Sequence, residues 1–262
     1  MKRRSSGILS DSAGQVVMQT SPVEKENLVN KKTSFFISEA YKTIRTNLMF
    51  MITKKGCKKI LLTSSAPGEG KTTTVLNLAI TTAQTGAKVL IVDADLRRPR
   101  IHRYLDLHLR GGLSNVLSGM EVPNEVVKKT TYENLDAVTA GPIPPNPSEL
   151  LVSGVFDDFL NKMAESYDYI FIDTPPVDLV TDATIISKFV DGVILVTRHN
   201  VTTTVIIDRA IEALEFVNAN LIGFILNDVK SGQQSYRYRY KYKYQGKYKY
   251  GYSTYKYKNE YK

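Results

Sequence analysis

The chain has a single cysteine, Cys57, so no intrachain disulfide can form, and a reducing cytoplasm is the expected setting. Just ahead of a predicted strand, that thiol reads as a small packing residue. No apolar run reaches the roughly 18 residues that a bilayer span needs. The basic start, Lys2, Arg3 and Arg4, lacks a following apolar stretch, which argues against a secretory signal. The three histidines, His102, His108 and His199, have no metal-ligand spacing. No Ser-His-Asp, Cys-His or zinc pattern occurs, which sets aside those hydrolase and metal-site chemistries.

Acidic residues are scarce in one place only. The net charge is +9. From Tyr236 to Lys262 nine Lys or Arg face one acid, whereas the rest of the chain carries 26 basic and 25 acidic residues. The basicity therefore belongs to the tail. The body lacks the broad positive footprint of a DNA-binding surface, and no nucleic-acid partner is expected.

A chain of 262 residues holds one substantial domain plus tails. Residues 1–32 are polar and aperiodic and read as a flexible arm. Residues 33–231 carry regular patterning. From Ser34 to Phe50 apolar residues fall at helical spacing, with Ser38 as the expected cap. Strand and helix then alternate: strands at 59–63, 88–92, 135–139, 169–172, 193–196 and 221–226, and helices at 71–85, 148–165, 182–189 and 202–218. Short helices are expected at 113–118 and 124–129. Continuous apolar strands separated by helices predict an α/β fold, a mainly parallel β-sheet with helices on both faces. Residues 232–262 alternate tyrosine with basic residues and read as a disordered, tyrosine-rich tail.

The segment Ser65 to Thr72 lies between a predicted strand and a predicted helix, the context in which a phosphate-binding loop has meaning. Ala66, Pro67, Gly68, Glu69, Gly70, Lys71, Thr72 and Thr73 are the nucleotide-binding candidates. The glycines let backbone N–H groups turn inward, and the helix start adds its positive end. Lys71 would reach the β- and γ-phosphates of ATP, and Thr72 would offer its hydroxyl to Mg2+. Ser65 stands where the usual motif has its first glycine, so the Walker A pattern is deviant.

Asp93 and Asp95 follow the second long strand, and Asp173 closes the strand that starts at Tyr169. Parallel sheets gather ligands at the carboxyl ends of their strands. Loop and aspartates all lie at such ends, so topology alone predicts one Mg–nucleotide site. Asp93 and Asp95, two apart at a strand end, and Asp173 are carboxylates that could converge on the metal.

Together these residues resemble the bacterial tyrosine kinases of capsule and exopolysaccharide synthesis, from about Ser38 to the C-terminus. The resemblance rests on Ala66-Pro-Gly-Glu-Gly-Lys-Thr72, Asp93-Ala-Asp95-Leu-Arg97-Arg98-Pro99 and Asp173-Thr-Pro-Pro176. Pro144-Pro-Asn-Pro-Ser-Glu-Leu-Leu151 and the terminal tyrosines strengthen it. It implies a P-loop kinase domain over 33–231 with catalytic Lys71, Asp93, Asp95 and Asp173, Asp93 accepting the tyrosine proton and Thr72, Asp95 and Asp173 holding the metal. A phenol titrates at about 10 and needs such a carboxylate nearby. The family's Glu-x-x-Arg-x-x-Arg ring helix corresponds to Glu39, Lys42 and Arg45, with lysine replacing the first arginine, which are not equivalent at bidentate contacts. An ordinary helix-surface pair is the other reading of Glu39 and Lys42. Asn227 fits either an adenine-contacting amide or a strand-end turn residue, and Arg97 and Arg98 either phosphate or subunit contacts or plain surface charge.

The tail then becomes substrate. Eleven tyrosines, Tyr236, Tyr238, Tyr240, Tyr242, Tyr244, Tyr248, Tyr250, Tyr252, Tyr255, Tyr257 and Tyr261, are the expected phosphoacceptors. The resemblance further implies a ring homo-oligomer, a transmembrane polysaccharide co-polymerase-like adaptor that recruits the kinase to the inner membrane face, and a cognate tyrosine phosphatase. The alternative is a partition or positioning ATPase that binds DNA or membrane through its basic tail. That family carries a signature lysine where this chain has Ala66.

Overall fold

The computed structural model describes residues 9–10, 16–17, 26–30 and 32–229. The expectations for the tail 232–262 and for most of the arm 1–32 lie outside these residues. The chain divides into two units, Met1–Asn227 and Asp228–Lys262. Of the second, Asp228 and Val229 are described, and Asp228 adopts a left-handed φ of 56°.

Near the N-terminus β1 (Leu9–Ser10) pairs antiparallel with β2 (Val16–Val17). The main sheet contains β3 (Lys58–Ser64), β4 (Val89–Asp93), β5 (Lys128–Lys129), β6 (Leu135–Val138), β7 (Tyr169–Asp173), β8 (Gly192–Arg198) and β9 (Leu221–Asn227). Its seven strands run in the order β5-β6-β4-β7-β3-β8-β9, and β5 alone is antiparallel. The helices are α1 (Phe35–Met51), α2 (Lys71–Ala83), α3 (Ile101–Tyr104), α4 (Leu113–Leu117), α5 (Pro147–Val152), α6 (Gly154–Ala164), α7 (Asp182–Ile186) and α8 (Thr204–Phe216).

Because strand side chains alternate, each apolar strand feeds two cores. Leu61, Leu90, Val92, Ile170 and Ile172 pack on one face with Phe156, Phe159, Leu160 and Met163 of α6. Ile60, Leu62, Val89, Ile91 and Phe171 pack on the other with Val75, Leu76, Leu78 and Ile80 of α2. This is why β3, β4 and β7 read as unbroken apolar runs: neither side meets water, whereas β9 exposes Phe224 and Leu226. Cys57 is buried, and burial pushes its thiol up to about 11, so it is a packing residue.

Three local expectations are corrected. The 17-residue helix α1 is capped by Ser34, whose Oγ accepts from Ile37 N at 3.4 Å, not by Ser38. The helix expected over 148–165 is two helices. Ser153 is extended (φ −63°, ψ 144°), because its Oγ donates back to Leu150 O at 2.6 Å and Gly154 follows. The helix expected over 124–129 is a 3-10 turn, Pro123–Val126, followed by β5. There Lys128 Nζ donates to His108 O and Arg110 O, both at 2.9 Å, and to Gly111 O at 2.6 Å, drawing the segment out as an edge strand.

Packing also begins ahead of residue 33. Leu28 and Val29 are buried, Val29 N donates to Asn77 Oδ1 at 2.7 Å, and Asn77 Nδ2 donates to Asn27 O at 3.0 Å. Residues 27–29 therefore dock on α2, whose first residue is Lys71. Among the described residues no helix is long and apolar enough to cross a membrane.

Candidate active site

The loop between β3 and α2 holds two glycines in the left-handed region, Gly68 at φ 80° and Gly70 at φ 82°. At Gly68 nothing lies within 4 Å of where a Cβ would stand, so the loop crest is open. At Gly70 a Cβ would lie 2.1 Å from Asn227 Nδ2. Gly70 is also the N-cap of α2 and gives it no side-chain cap, leaving the first amides for an anion.

Side by side, β4 and β7 bring their last residues together, with Asp93 opposite Asp173 in register, and Leu62 of β3 flanks Asp173. Lys71 Nζ contacts Asp173 Oδ1 at 2.5 Å, and Thr72 Oγ1 donates to Asp173 Oδ2 at 2.8 Å. Both ends of the ion pair are buried, with side-chain exposures of 8% for Lys71 and 1% for Asp173. Burial raises the Asp173 carboxyl above the usual aspartate range, although Lys71 and Thr72 pull it down. The desolvation cost outweighs the pairing, as is common for buried ion pairs.

Asp93 is fully buried. Its Oδ2 accepts from Arg100 N at 3.1 Å and Ile101 N at 3.0 Å, and its Oδ1 from Asp95 N at 3.3 Å. Burial first, then the charges of Asp173 and Asp95, push its carboxyl well above the ordinary range. Asp95 is half-buried and accepts from Arg98 N at 2.9 Å. Among the described residues no His, Cys, Asp or Glu group forms a ready metal cage. The donor set is nevertheless hard oxygen: the Thr72 hydroxyl with the Asp95 and Asp173 carboxylates. That chemistry fits Mg2+, which keeps waters and phosphate oxygens rather than an all-protein shell.

The structure thus brings Lys71, Thr72, Asp93, Asp95 and Asp173 to one place and sets Asn227 beside the loop, its Nδ2 donating to Glu69 O at 2.8 Å. Thr73 lies on the outer turn of α2, its Oγ1 3.2 Å from Tyr104 Oη. Arg97 is not free surface charge: Nε and Nη2 hold buried Asp182 at 2.9 and 3.1 Å, and Nη2 also donates to Ser148 Oγ at 2.8 Å. Glu39 and Lys42 lie outside the site, paired at 2.7 Å on the exposed face of α1. Arg45 turns inward and donates to Thr81 O of α2 at 2.7 Å. The tyrosine cluster is outside the described residues. Sequence reasoning missed Asp182 and Thr202. The first has no local signal, whereas Thr202 sits just past the end of β8, where the strand-end rule applies. A hollow of about 450 Å3 lined by Lys88, Tyr132, Asn134 and Tyr167 lies at the opposite, N-terminal ends of β4 and β6.

A seven-stranded, mainly parallel sheet with a Gly-Lys-Thr loop and aspartates at neighbouring strand ends defines a P-loop NTPase. The profile matching residues 56–247 is that of the ParA family, described as NUBPL iron-transfer P-loop NTPase. Nearer relatives narrow the class. The chain is 40% identical over 198 residues to the tyrosine-protein kinase YwqD of Bacillus subtilis (strain 168), covering 76% of this chain and 84% of the relative. It is 37% identical over 207 residues to the putative tyrosine-protein kinase CapB of Staphylococcus aureus, covering 79% and 91%. Among solved structures, the chimerical protein CapA2B2 matches with a TM-score of 0.74 at 38% identity, covering 79% of this chain and 91% of that one. The kinase domain of Escherichia coli tyrosine kinase ETK matches with a TM-score of 0.72 at 33% identity, covering 75% and 78%. The chain belongs to the bacterial tyrosine-protein kinases. The septum site-determining protein MinD of Pyrococcus horikoshii, with Mg-ADP, shares the fold at 24% identity and a TM-score of 0.58. The kinase reading is therefore favoured over the positioning-ATPase alternative.

Proposed function

We propose that this kinase transfers the γ-phosphoryl group of ATP to tyrosines of its own C-terminal cluster, in trans within a ring of copies. The observation that carries this reading is the meeting of Lys71, Thr72, Asp93 and Asp173 at adjoining strand ends beside an open glycine loop. Lys71 Nζ moves from Asp173 to the β- and γ-phosphate oxygens, and the α2 amides hold the remaining charge. Asp173 and Asp95, with Thr72 Oγ1, would hold Mg2+. Bound Mg2+ would supply charge neutralisation for the transferred phosphoryl group. The tyrosine oxygen bonds to the γ-phosphorus, the bond to the β–γ bridging oxygen breaks, and ADP leaves. The phenolic proton passes to Asp93 Oδ1, whose one hydrogen bond, 3.3 Å to Asp95 N, is the longest that carboxylate makes. A carboxyl raised above its ordinary range is, in its ionised form, the stronger base. Because Asp93 is fully buried, its surroundings would have to open before a tyrosine reaches it.

Glu39 and Lys42, exposed on α1, would meet the neighbouring copy, while Arg45 braces α1 against α2. An adaptor in the membrane would recruit the kinase, and a tyrosine phosphatase would reset it. Each phosphate adds about −1.5 to −2 charges, so full modification turns a strongly positive tail negative. That reversal drives tails from their neighbours' sites and loosens the ring.

The test is incubation with Mg-ATP and the adaptor, then mass spectrometry of the tail. Wild type is expected to carry several phosphotyrosines, and Lys71→Met and Asp93→Asn to carry almost none. Unmodified tyrosines in adaptor-supplied wild type would sink the assignment. Size-exclusion chromatography of phosphorylated and dephosphorylated protein reports the ring cycle, and identical assembly states count against it.

A further inference from the structure

A buried carboxylate inside the phosphate loop has no part in the chemistry above. Glu69 is 2% exposed, yet no Lys or Arg pairs with its side chain among the described residues. It takes three donors instead. Ser65 Oγ lies 3.0 and 2.9 Å from its two oxygens, and Ala66 N donates to Oε2 at 2.8 Å. Thr202 Oγ1, from the loop after β8, bonds Oε1. The sense of that bond is fixed, since Thr202 Oγ1 already accepts from Arg198 N at 3.0 Å and a carboxylate can only accept. The backbone of the same residue reaches elsewhere: Glu69 O accepts from Asn227 Nδ2 at 2.8 Å. One residue therefore ties three places together, namely the end of β3, the β8–α8 loop and the end of β9.

We infer that Glu69 is a positioning residue for nucleotide binding, whose carboxylate fastens the phosphate loop to Ser65 and Thr202 while its carbonyl holds Asn227. This rests on the reading of the loop as the ATP site. A glycine loop that ATP alone must order costs affinity, because the ordering is charged to the binding step. Here charge-assisted hydrogen bonds made by the protein's own groups close the loop across its base. Ser65 replaces the usual glycine without harm because its fully buried hydroxyl has an acceptor four residues on. Asn227 and the loop form one unit, so the base end and the phosphate end of the site are set together. The reacting groups Lys71, Asp93 and Asp173 are not touched by Glu69, so the role lies in affinity rather than in the transfer step.

The test measures binding of a fluorescent ATP analogue with Mg2+, steady-state kinase kinetics and melting temperature. The variants are Thr202→Val, Thr202→Ser, Glu69→Gln and Glu69→Ala. Thr202→Val is expected to raise both Kd and KM for nucleotide about tenfold, the scale of losing a hydrogen bond to a charged group. Its kcat should stay within about twofold, as for loss of uniform binding. Thr202→Ser, which keeps the hydroxyl, should restore wild-type affinity. Glu69→Gln should fall between, and combining it with Thr202→Val should cost less than the two single effects multiplied. If Glu69→Ala does not fold, Thr202→Val and Glu69→Gln carry the test. Folded Thr202→Val and Glu69→Gln proteins with wild-type affinity, or with lowered melting temperature alone, would overturn the role. Wild type that binds no analogue would instead remove the ATP reading beneath it.

Discussion

Replacing Lys71 by methionine should do two separable things, and the structure sizes the second. Activity is lost because the γ-phosphate loses its cation. Stability is lost because Asp173, 1% exposed, keeps its charge with no partner but Thr72. Breaking a buried pair from one side costs about 3–5 kcal/mol. Protonation sets a ceiling. Neutralising an aspartate with an unfolded pKa of about 3.9 at pH 7 costs about 4 kcal/mol, at about 1.4 per unit. The expected loss at pH 7 is therefore about 3–4 kcal/mol, or roughly 6–16 °C in melting temperature at about 2–4 °C per kcal/mol for a domain of this size. The sign with pH follows from Asp173, whose carboxyl is already raised by burial and rises further without Lys71. A raised carboxyl destabilises fully above its folded pKa, and the penalty fades as pH falls toward the unfolded value. By pH 5 that ceiling falls to about 1.5 kcal/mol, so the gap should shrink to no more than this. Urea denaturation of wild type and Lys71→Met at pH 5, 6 and 7 measures it. Lys71→Met/Asp173→Asn should regain most of the stability and none of the activity. A gap that does not change with pH, or no gap at pH 7, would refute the buried-pair reasoning.

Two further outcomes are expected. Asp93→Asn should lose about 10²–10⁴-fold in kcat, the usual worth of a general base, yet melt higher than wild type at neutral pH. The ionised form of a raised, buried carboxyl costs stability above its folded pKa, so calorimetry should show that gain shrink on acidification. Arg97→Ala should cost about 1–3 kcal/mol in urea titrations by leaving Asp182 with Ser148 alone. Arg97→Lys should recover only part, because lysine cannot form the two-pronged contact.

Much of this was legible beforehand because the physics behind it is local or topological. Apolar runs such as Tyr169 to Ile172 are strands buried on both faces, and a parallel sheet has to gather its strand ends, so Asp93 and Asp173 could be placed together from order alone. Where contacts between distant residues decide, the sequence was silent. Lys128 becomes edge strand because the carbonyls of His108, Arg110 and Gly111 bind its ammonium. Ser153 breaks a helix by bonding backward, and of Ser34 and Ser38, either of which could cap, it is Ser34 whose side chain meets the first turn. Thr202 is 133 residues from Glu69, and Asp182 is 85 from Arg97. Neither spacing carries a periodic signal.

The docking of residues 27–29 bears on how the protein should be trimmed for study. Asn77 lies on the same helix as Lys71, and its side-chain amide holds the preceding segment through Asn27 and Val29. A version cut just before Thr33 would wet the apolar bed under Leu28 and strip that amide of two bonds at once, loosening the flank of the nucleotide helix. Recombinant versions that begin upstream of Asn27 keep this seam closed, and nucleotide affinities measured on shorter ones would describe a damaged enzyme.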